Sequence, residues 1–246
     1  MLNNLDISLI IIIVLIASTI RSAFGFGDAL IAMPLLAFFI SIKTATPFVA
    51  MIGLTISIII LAKNWKTAYT QGLWVLILFC FLGVPIGVFA LKYLDESYVK
   101  LILSIIIVLS STFNLLKPNL ISIKSNNLVW IFGLISGFLG GAYNTNGPPV
   151  IIYGRLKGWN PLNFRAILQT VFLPTNLIII ASQGVGGFWS KEVIYYYLIS
   201  LPAIIIGTIA GSFIVKRINS QKYMAVIDLL LIFIGSLLFI TTIFKF

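Results

Sequence analysis

Apolar residues fall into blocks separated by short polar stretches: Leu5 to Ile20, Ala29 to Ile42, Ala45 to Ala62, Gly72 to Leu91, Val99 to Leu116, Leu128 to Phe138, Pro148 to Leu156, Ala166 to Ser182, Val193 to Val215 and Tyr223 to Phe244. A helix needs roughly 20 apolar residues to cross a hydrocarbon core. The longer blocks therefore predict full spans, and the shorter ones predict broken or partial crossings. The fold class expected is all-α: a polytopic membrane protein of ten helical segments, with short or broken helices at its centre.

The pattern occurs twice. Ser22-Ala-Phe-Gly-Phe-Gly-Asp, with Pro34 twelve residues after Ser22, matches Ser136-Gly-Phe-Leu-Gly-Gly-Ala, with Pro148 twelve residues after Ser136. Gly83-Val-Pro-Ile-Gly-Val-Phe matches Gly207-Thr-Ile-Ala-Gly-Ser-Phe. The offsets, 136 − 22 = 114 and 207 − 83 = 124, differ by what one longer loop, Gly154 to Asn163, absorbs. Two homologous repeats are expected, 1–120 and 121–246.

Composition removes other classes. Hydrophobic residues make up 60% of the chain and charged residues 9%, with a mean hydropathy of +1.13, far from a soluble balance. No soluble domain fits beside the spans. The first apolar stretch, Ile7 to Ile20, follows Asp6 without a basic leader region or a small-residue cleavage site, so it is expected to be retained, with the mature protein starting near Met1. The net charge of +10 sits in short loops between apolar blocks. That placement signals membrane orientation, not nucleic acid.

Loop charge also chooses between two topologies. With five crossings per half, one face collects Lys63, Lys66, Lys117, Lys124, Arg155, Lys157, Arg165, Lys216, Arg217 and Lys222, and the other Lys43, Lys92, Lys100, Lys191 and Lys245, ten against five. With four crossings per half, the stretches around Gly25 and Asn146 being single broken crossings, the split weakens to nine against six. Five plus five is favoured, with both termini outside. An odd number per repeat inverts the second half relative to the first, as recurs in secondary transporters with a site between the repeats.

Chemistry is expected where glycine and proline interrupt the apolar blocks at matched positions: Gly25-Phe-Gly27 with Pro34, and Gly140-Gly141 through Asn144-Thr145-Asn146-Gly147-Pro148-Pro149. Backbone freed from helical pairing inside a bilayer survives where it lines a cavity. Asn144, Thr145 and Asn146 stand as capping residues before a helix that opens at Pro148, whose positive end would seat an oxyanion. Asp28 opens the helix expected to run to Ile42. It is read as a cap or a partner of Arg21, or else as a protonatable gate. Arg21 either snorkels to an interface or attracts substrate. Arg165 falls on the basic face, where orientation alone explains it. Gln169, Thr170, Thr175 and Asn176 are dense for a lipid-facing stretch, with helix-to-helix bonding the plain alternative. Asp228 is an isolated carboxyl deep in the last block.

There is no histidine and a single cysteine, Cys80, which removes internal disulfides and most metal sites. Neither Gly25-Phe-Gly27 nor Gly186-Gly187 sits in a dinucleotide-binding context, and no Walker-type Gly-Lys-Ser occurs. Without a Gly-x-Ser-x-Gly elbow or a close carboxylate pair, an enzyme is not expected, and neither are cofactors. A scaffold would keep its polar residues on loops. The class favoured is a carrier of a small solute driven by gradients, the alternative being a passive anion channel.

Arg21-Ser-Ala-Phe-Gly-Phe-Gly-Asp-Ala-Leu-Ile-Ala-Met-Pro-Leu-Leu, Gly140-Gly-Ala-Tyr-Asn-Thr-Asn-Gly-Pro-Pro-Val-Ile-Ile-Tyr, Phe164-Arg-Ala and the doubled Gly83 and Gly207 segments together resemble the sulfite exporter TauE/SafE family. The resemblance implies a carrier of sulfite, sulfoacetate or related organosulfonates in the bacterial inner membrane. Where family members usually carry another glycine this chain has Asp28, and proton coupling would reconcile an acid with an anion seat. The substrate-binding set expected is Arg21, Ser22, Phe24, Gly25, Gly27, Asp28, Asn144, Thr145, Asn146, Gly147, Pro148, Gln169 and Asn176. The partners expected are a small anionic substrate and the lipid bilayer, not nucleic acid, with assembly into a homo-oligomer left open.

Overall fold

The structure is a computed structural model that describes residues 4–64, 73–116, 128–159, 164–214 and 220–244. Among these residues it is all-helical: α1 (Asn4–Phe24), α2 (Asp28–Leu36), α3 (Ile42–Asn64), α4 (Leu73–Tyr93), α5 (Glu96–Leu116), α6 (Val129–Tyr143), α7 (Gly147–Leu156), α8 (Phe164–Val185), α9 (Lys191–Ile214) and α10 (Ser220–Ile243). Five of them, α1, α3, α4, α8 and α9, are long and apolar enough to cross a membrane. With 9 and 10 residues, α2 and α7 are each only about 15 Å long at ~1.5 Å per residue. They reach half-way.

Two helix seams hold the fold together, and both join the first half of the chain to the second. On α4, Gly83 and Gly87 face α6, whose Gly133, Gly137 and Gly141 face back; a methyl on Gly87 would come within 2.9 Å of the Ala142 amide nitrogen, and one on Gly141 within 2.9 Å of that of Val88. Along α9, Gly207 and Gly211 meet α1 in the same way, a methyl on Gly211 lying 2.9 Å from the Ala23 amide nitrogen. Lipid tails do not drive apolar helices together, so small residues that admit close backbone contact are what makes such seams. The duplicated Gly83 and Gly207 motifs thus have one job.

The seams also fix helix directions. Gly207 lies against Leu15 and Gly211 against Thr19, so α1 runs parallel to α9; Gly83 lies against Leu134 and Gly87 against Phe138, so α4 runs parallel to α6. Beyond the end of α2, Ala37 and Phe38 share a cavity with Ser97 and Lys100 at the start of α5 and with Thr241 and Thr242 at the end of α10. The Lys43 ammonium donates to the Lys92 carbonyl at 3.2 Å, which puts the start of α3 and the end of α4 on that same face. Because α10 ends there, α9 begins there, and so does α1. The pair α1–α2 therefore enters and returns to one face, a hairpin and not one broken crossing.

The second pair mirrors it from the opposite face, where α6, α7 and α8 are joined. Antiparallel to α3, α8 brings Gln169 to Ser57 and Asn176 to Gly53. The expected helix from Asp28 to Ile42 is shorter than its apolar run: α2 stops at Leu36, turns through 37–41, and Ile42 begins α3. Pro34 sits inside α2, two residues before its end at Leu36. Asp228 and Arg155 have side chains outside those described.

Candidate functional site

The tip of the first hairpin is Gly25-Phe26-Gly27. Gly25 has φ 87° and Gly27 φ 100°, a left-handed backbone that only glycine adopts without strain. The turn delivers Asp28 back against Arg21, with the Arg21 Nη1 group donating to Asp28 Oδ2 at 2.7 Å. Their side chains are 2% and 5% exposed, so Arg21 does not snorkel to an interface. Nor does Asp28 hold the cap position: Gly27 is the N-cap of α2, and Asp28 is the first residue inside the helix. Charge pairing is its role in this conformation.

Three more elements hold Arg21. Its Nη2 group donates to Ser57 Oγ on α3 at 2.8 Å and approaches Gln169 Oε1 on α8 at 3.5 Å. The guanidinium lies 5.3 Å from the centre of the Phe172 ring, within reach of a cation–π attraction. Ser57 donates to Gln169 Oε1 at 2.9 Å, and Gln169 Nε2 donates to the Gly25 carbonyl at 2.6 Å. Gln169 thereby closes the hairpin tip with a side chain from the other half of the protein. Gly53 makes room for this cluster: a methyl there would lie 3.0 Å from Arg21 Nη1 and 3.1 Å from Asn176 Nδ2.

The second tip is Asn144-Thr145-Asn146. Asn144 is left-handed at φ 55°, the one non-glycine with positive φ among the described residues. It ends α6 instead of capping α7, its N–H bonding to Gly140 O at 2.9 Å while the Thr145 N–H bonds to Leu139 O at 3.2 Å. Asparagine is among the few residues that tolerate this conformation. Ser136 Oγ donates to the Asn146 carbonyl at 2.9 Å and pins the turn. α7 then opens at Gly147. Pro148 and Pro149 have no N–H, so this helix start offers fewer backbone donors than the sequence reading expected.

Side chains make up the difference. Arg21, Phe26, Gly27, Asp28, Ala29 and Leu30 of the first hairpin, Asn144 to Pro148 of the second, and Phe172 line one narrow cleft whose cavity volume is about 10 Å³, room for about one water molecule in this conformation. Asn144 Nδ2 and Oδ1, Thr145 Oγ1, Asn146 Nδ2 and Arg21 Nε are buried and have no hydrogen-bond partner within the protein. Asn176 Nδ2 and Oδ1, beside Gly53, are in the same state. An unsatisfied buried polar group costs about 1–3 kcal/mol. Gathering four such neutral side chains around one cation, itself with an unpartnered Nε, is what a polar ligand site requires. The positive ends of α2 and α7 both point at the cleft.

Of the expected set, Arg21, Gly27, Asp28, Asn144, Thr145, Asn146, Gly147 and Pro148 line the cleft. Gly25, Gln169 and Asn176 stand directly behind it. Ser22 faces away: its hydroxyl donates to the Thr208 carbonyl at 2.5 Å and lies 3.1 Å from Ser212 Oγ, both on α9. Phe24 packs against the apolar core. Thr175 bonds back to Val171 O at 2.7 Å and Thr170 to Ala166 O at 3.1 Å, within α8. Ser57, Gly53 and Phe172 complete the site and were not singled out from the sequence. Ser57 carried a signal, a lone hydroxyl in the run Ile56-Ser-Ile-Ile-Ile60.

A family profile described as Sulfite exporter TauE/SafE matches residues 10–238. The chain belongs to the sulfite exporter TauE/SafE family. With its apolar helices, this makes it a multi-pass membrane protein of a transporter family, not an enzyme. A probable sulfite/organosulfonate exporter TauE from Cupriavidus necator is 26% identical over 133 residues, 52% of this chain and 52% of that protein. The chain thus spans about half the length of the curated relative it matches. No solved structure matches it. Both hairpin tips and both glycine seams of this TauE/SafE member fall inside the matched region.

Proposed function

We propose that the protein is a secondary carrier of small oxyanions, sulfite, sulfoacetate or a related organosulfonate, across the bacterial inner membrane. The observation that carries this reading is the set of unpartnered Asn, Thr and Arg donors gathered around Arg21 in the cleft. A three-oxygen head group offers many acceptors, and these donors, neutral apart from one guanidinium, suit a sulfite or sulfonate group held mainly by hydrogen bonds. Family membership supports the substrate class. The name of the Cupriavidus necator relative supports the organosulfonate option.

The two halves, 1–120 and 121–246, are read as inverted repeats, because helix partners exchange under the matching of α1 with α6 and α4 with α9. Both termini lie outside, and the basic loops face the cytoplasm. Arg21 and Asp28 cancel within the cleft, so an incoming oxyanion competes with Asp28 for the guanidinium. A proton on Asp28 releases Arg21 to the substrate, which couples oxyanion binding to proton uptake.

The test is thermal stabilisation of the detergent-purified protein by sulfite, sulfoacetate, taurine, sulfate and small carboxylates, followed by counterflow in proteoliposomes. Stabilisation by sulfur oxyanions that is lost in Asn146→Ala, together with counterflow, supports the carrier. Stabilisation by cations or neutral solutes alone would sink it.

A further inference from the structure

Arg165 opens α8 on the face opposite Lys43, and the structure treats it as more than an orientation charge. Its side chain is half-buried. Nη2 lies 3.3 Å from Ser22 Oγ on α1 and 3.3 Å from Ser212 Oγ on α9. Both hydroxyls donate their own protons to the Thr208 carbonyl, at 2.5 and 2.9 Å, which leaves their lone pairs facing Arg165. Nε is buried without a partner. Among the described residues no carboxylate is within ion-pair distance of it, the ion pair there being Arg21–Asp28.

Position connects Arg165 to the cleft. Its stem packs on Gly25, where a methyl would come within 3.2 Å of Arg165 Cα and Cγ. One helical turn along α8, Gln169 holds the Gly25 carbonyl and shares Ser57 with Arg21. Arg165 and Arg21, two guanidinium side chains, are thus linked through Gly25 and Gln169. One has a carboxylate and the other does not. Hydroxyls orient a cation but do not neutralise it, and an uncompensated charge at this depth is costly.

We propose that Arg165, framed by Ser22 and Ser212, is a second anion-binding residue, at which the oxyanion docks on its way between the Arg165 face and the Arg21 cleft. This rests on the carrier reading above. Partial exposure gives the anion access, the framing hydroxyls fix the guanidinium fork, and the docked oxyanion supplies the missing negative charge. Ser22, turned away from the central cleft, then belongs to the site after all, one step along the path.

The experiment is sulfite flux in proteoliposomes with KM measured separately from each face. Arg165→Gln is expected to raise KM about tenfold from the Arg165 face, the loss of one charge-assisted contact, with KM from the Lys43 face unchanged. Arg165→Lys keeps the charge without the fork and should recover part of the loss. Ser212→Ala, a milder change, should raise KM from the Arg165 face alone. If Arg165 only ties α8 to α1 and α9, Arg165→Gln will lower thermal stability and flux from both faces with KM unaltered, and the inference fails. Equal KM in wild type and all three variants also overturns it. Wild-type protein that moves no sulfite or organosulfonate from either face defeats the carrier reading itself, before any variant is compared.

Discussion

Replacing Asp28 with asparagine keeps the shape and one acceptor oxygen but removes the charge that faces Arg21 at 2.7 Å. Both side chains are almost fully buried, and breaking a buried ion pair from one side typically costs about 3–5 kcal/mol. Ser57 and Phe172 still hold the guanidinium, so the lower end, about 3 kcal/mol, is expected. That same quantity sets the gain in binding. In wild type the oxyanion must displace the carboxylate; in Asp28→Asn it meets no charged competitor, and about 3 kcal/mol corresponds to roughly 100-fold tighter binding. Sulfite at about 100 times its Kd would then return about 2.7 kcal/mol of stability. The assay is thermal unfolding in detergent with and without sulfite, paired with calorimetric titration. Asp28→Asn should unfold earlier than wild type without ligand and gain more from sulfite. Adding Arg21→Gln should restore much of the stability and abolish binding. Sulfite affinity in Asp28→Asn no higher than in wild type would refute the reasoning, because the carboxylate would then not be competing with the substrate.

Two further predictions concern the scaffold. Gly87→Leu drives a side chain into the Phe138 and Ala142 backbone; overpacking of a seam with no room to move costs at least about 1–3 kcal/mol, so the yield of monodisperse protein should collapse, whereas Phe89→Leu on the exposed side of the same helix should purify normally. Labelling with a membrane-impermeant maleimide tests the topology: Cys80 is fully buried and provides a silent background, so Asp95→Cys and Ser190→Cys should label from one side of the membrane and Lys157→Cys from the other. Labelling of Asp95→Cys and Lys157→Cys from the same side, with Ser190→Cys on the other, is what single broken crossings give and would remove the hairpin arrangement.

Much of the fold could be read from hydropathy, because in a bilayer each apolar block has one thing to do. The ten segments and the breaks at Gly25 and Asn146 emerged that way, and the repeated Gly83 and Gly207 motifs turned out to mark the two seams. Side-chain direction was harder. Ser22 and Arg21 are neighbours in sequence, but a helix turns by about 100° per residue, which sends Ser22 to α9 and Arg21 to α3. Arg165 sits on the basic face, as its loop position suggests, yet α1 and α9 close over it. Asn144 combined two possible roles, capping a following helix or ending a preceding one, and local sequence does not separate them. Ser57 and Gly53 matter through contacts with residues over a hundred positions away in α8, a distance at which periodicity carries no information.

The exchange of helix partners has a mechanical consequence. Glycine contacts lock α1 to α9 and α6 to α4, so each broken hairpin is fastened to a helix from the other half of the sequence. The two halves therefore cannot rock past one another as units, because the tightest seams run across their boundary. In the carrier proposed above, relative motion would then run between two composite bodies, one built on α1 and α9 and the other on α4 and α6. The cleft lies between their hairpin tips, and a shift of one body against the other would open it to one side of the membrane as it closes to the other.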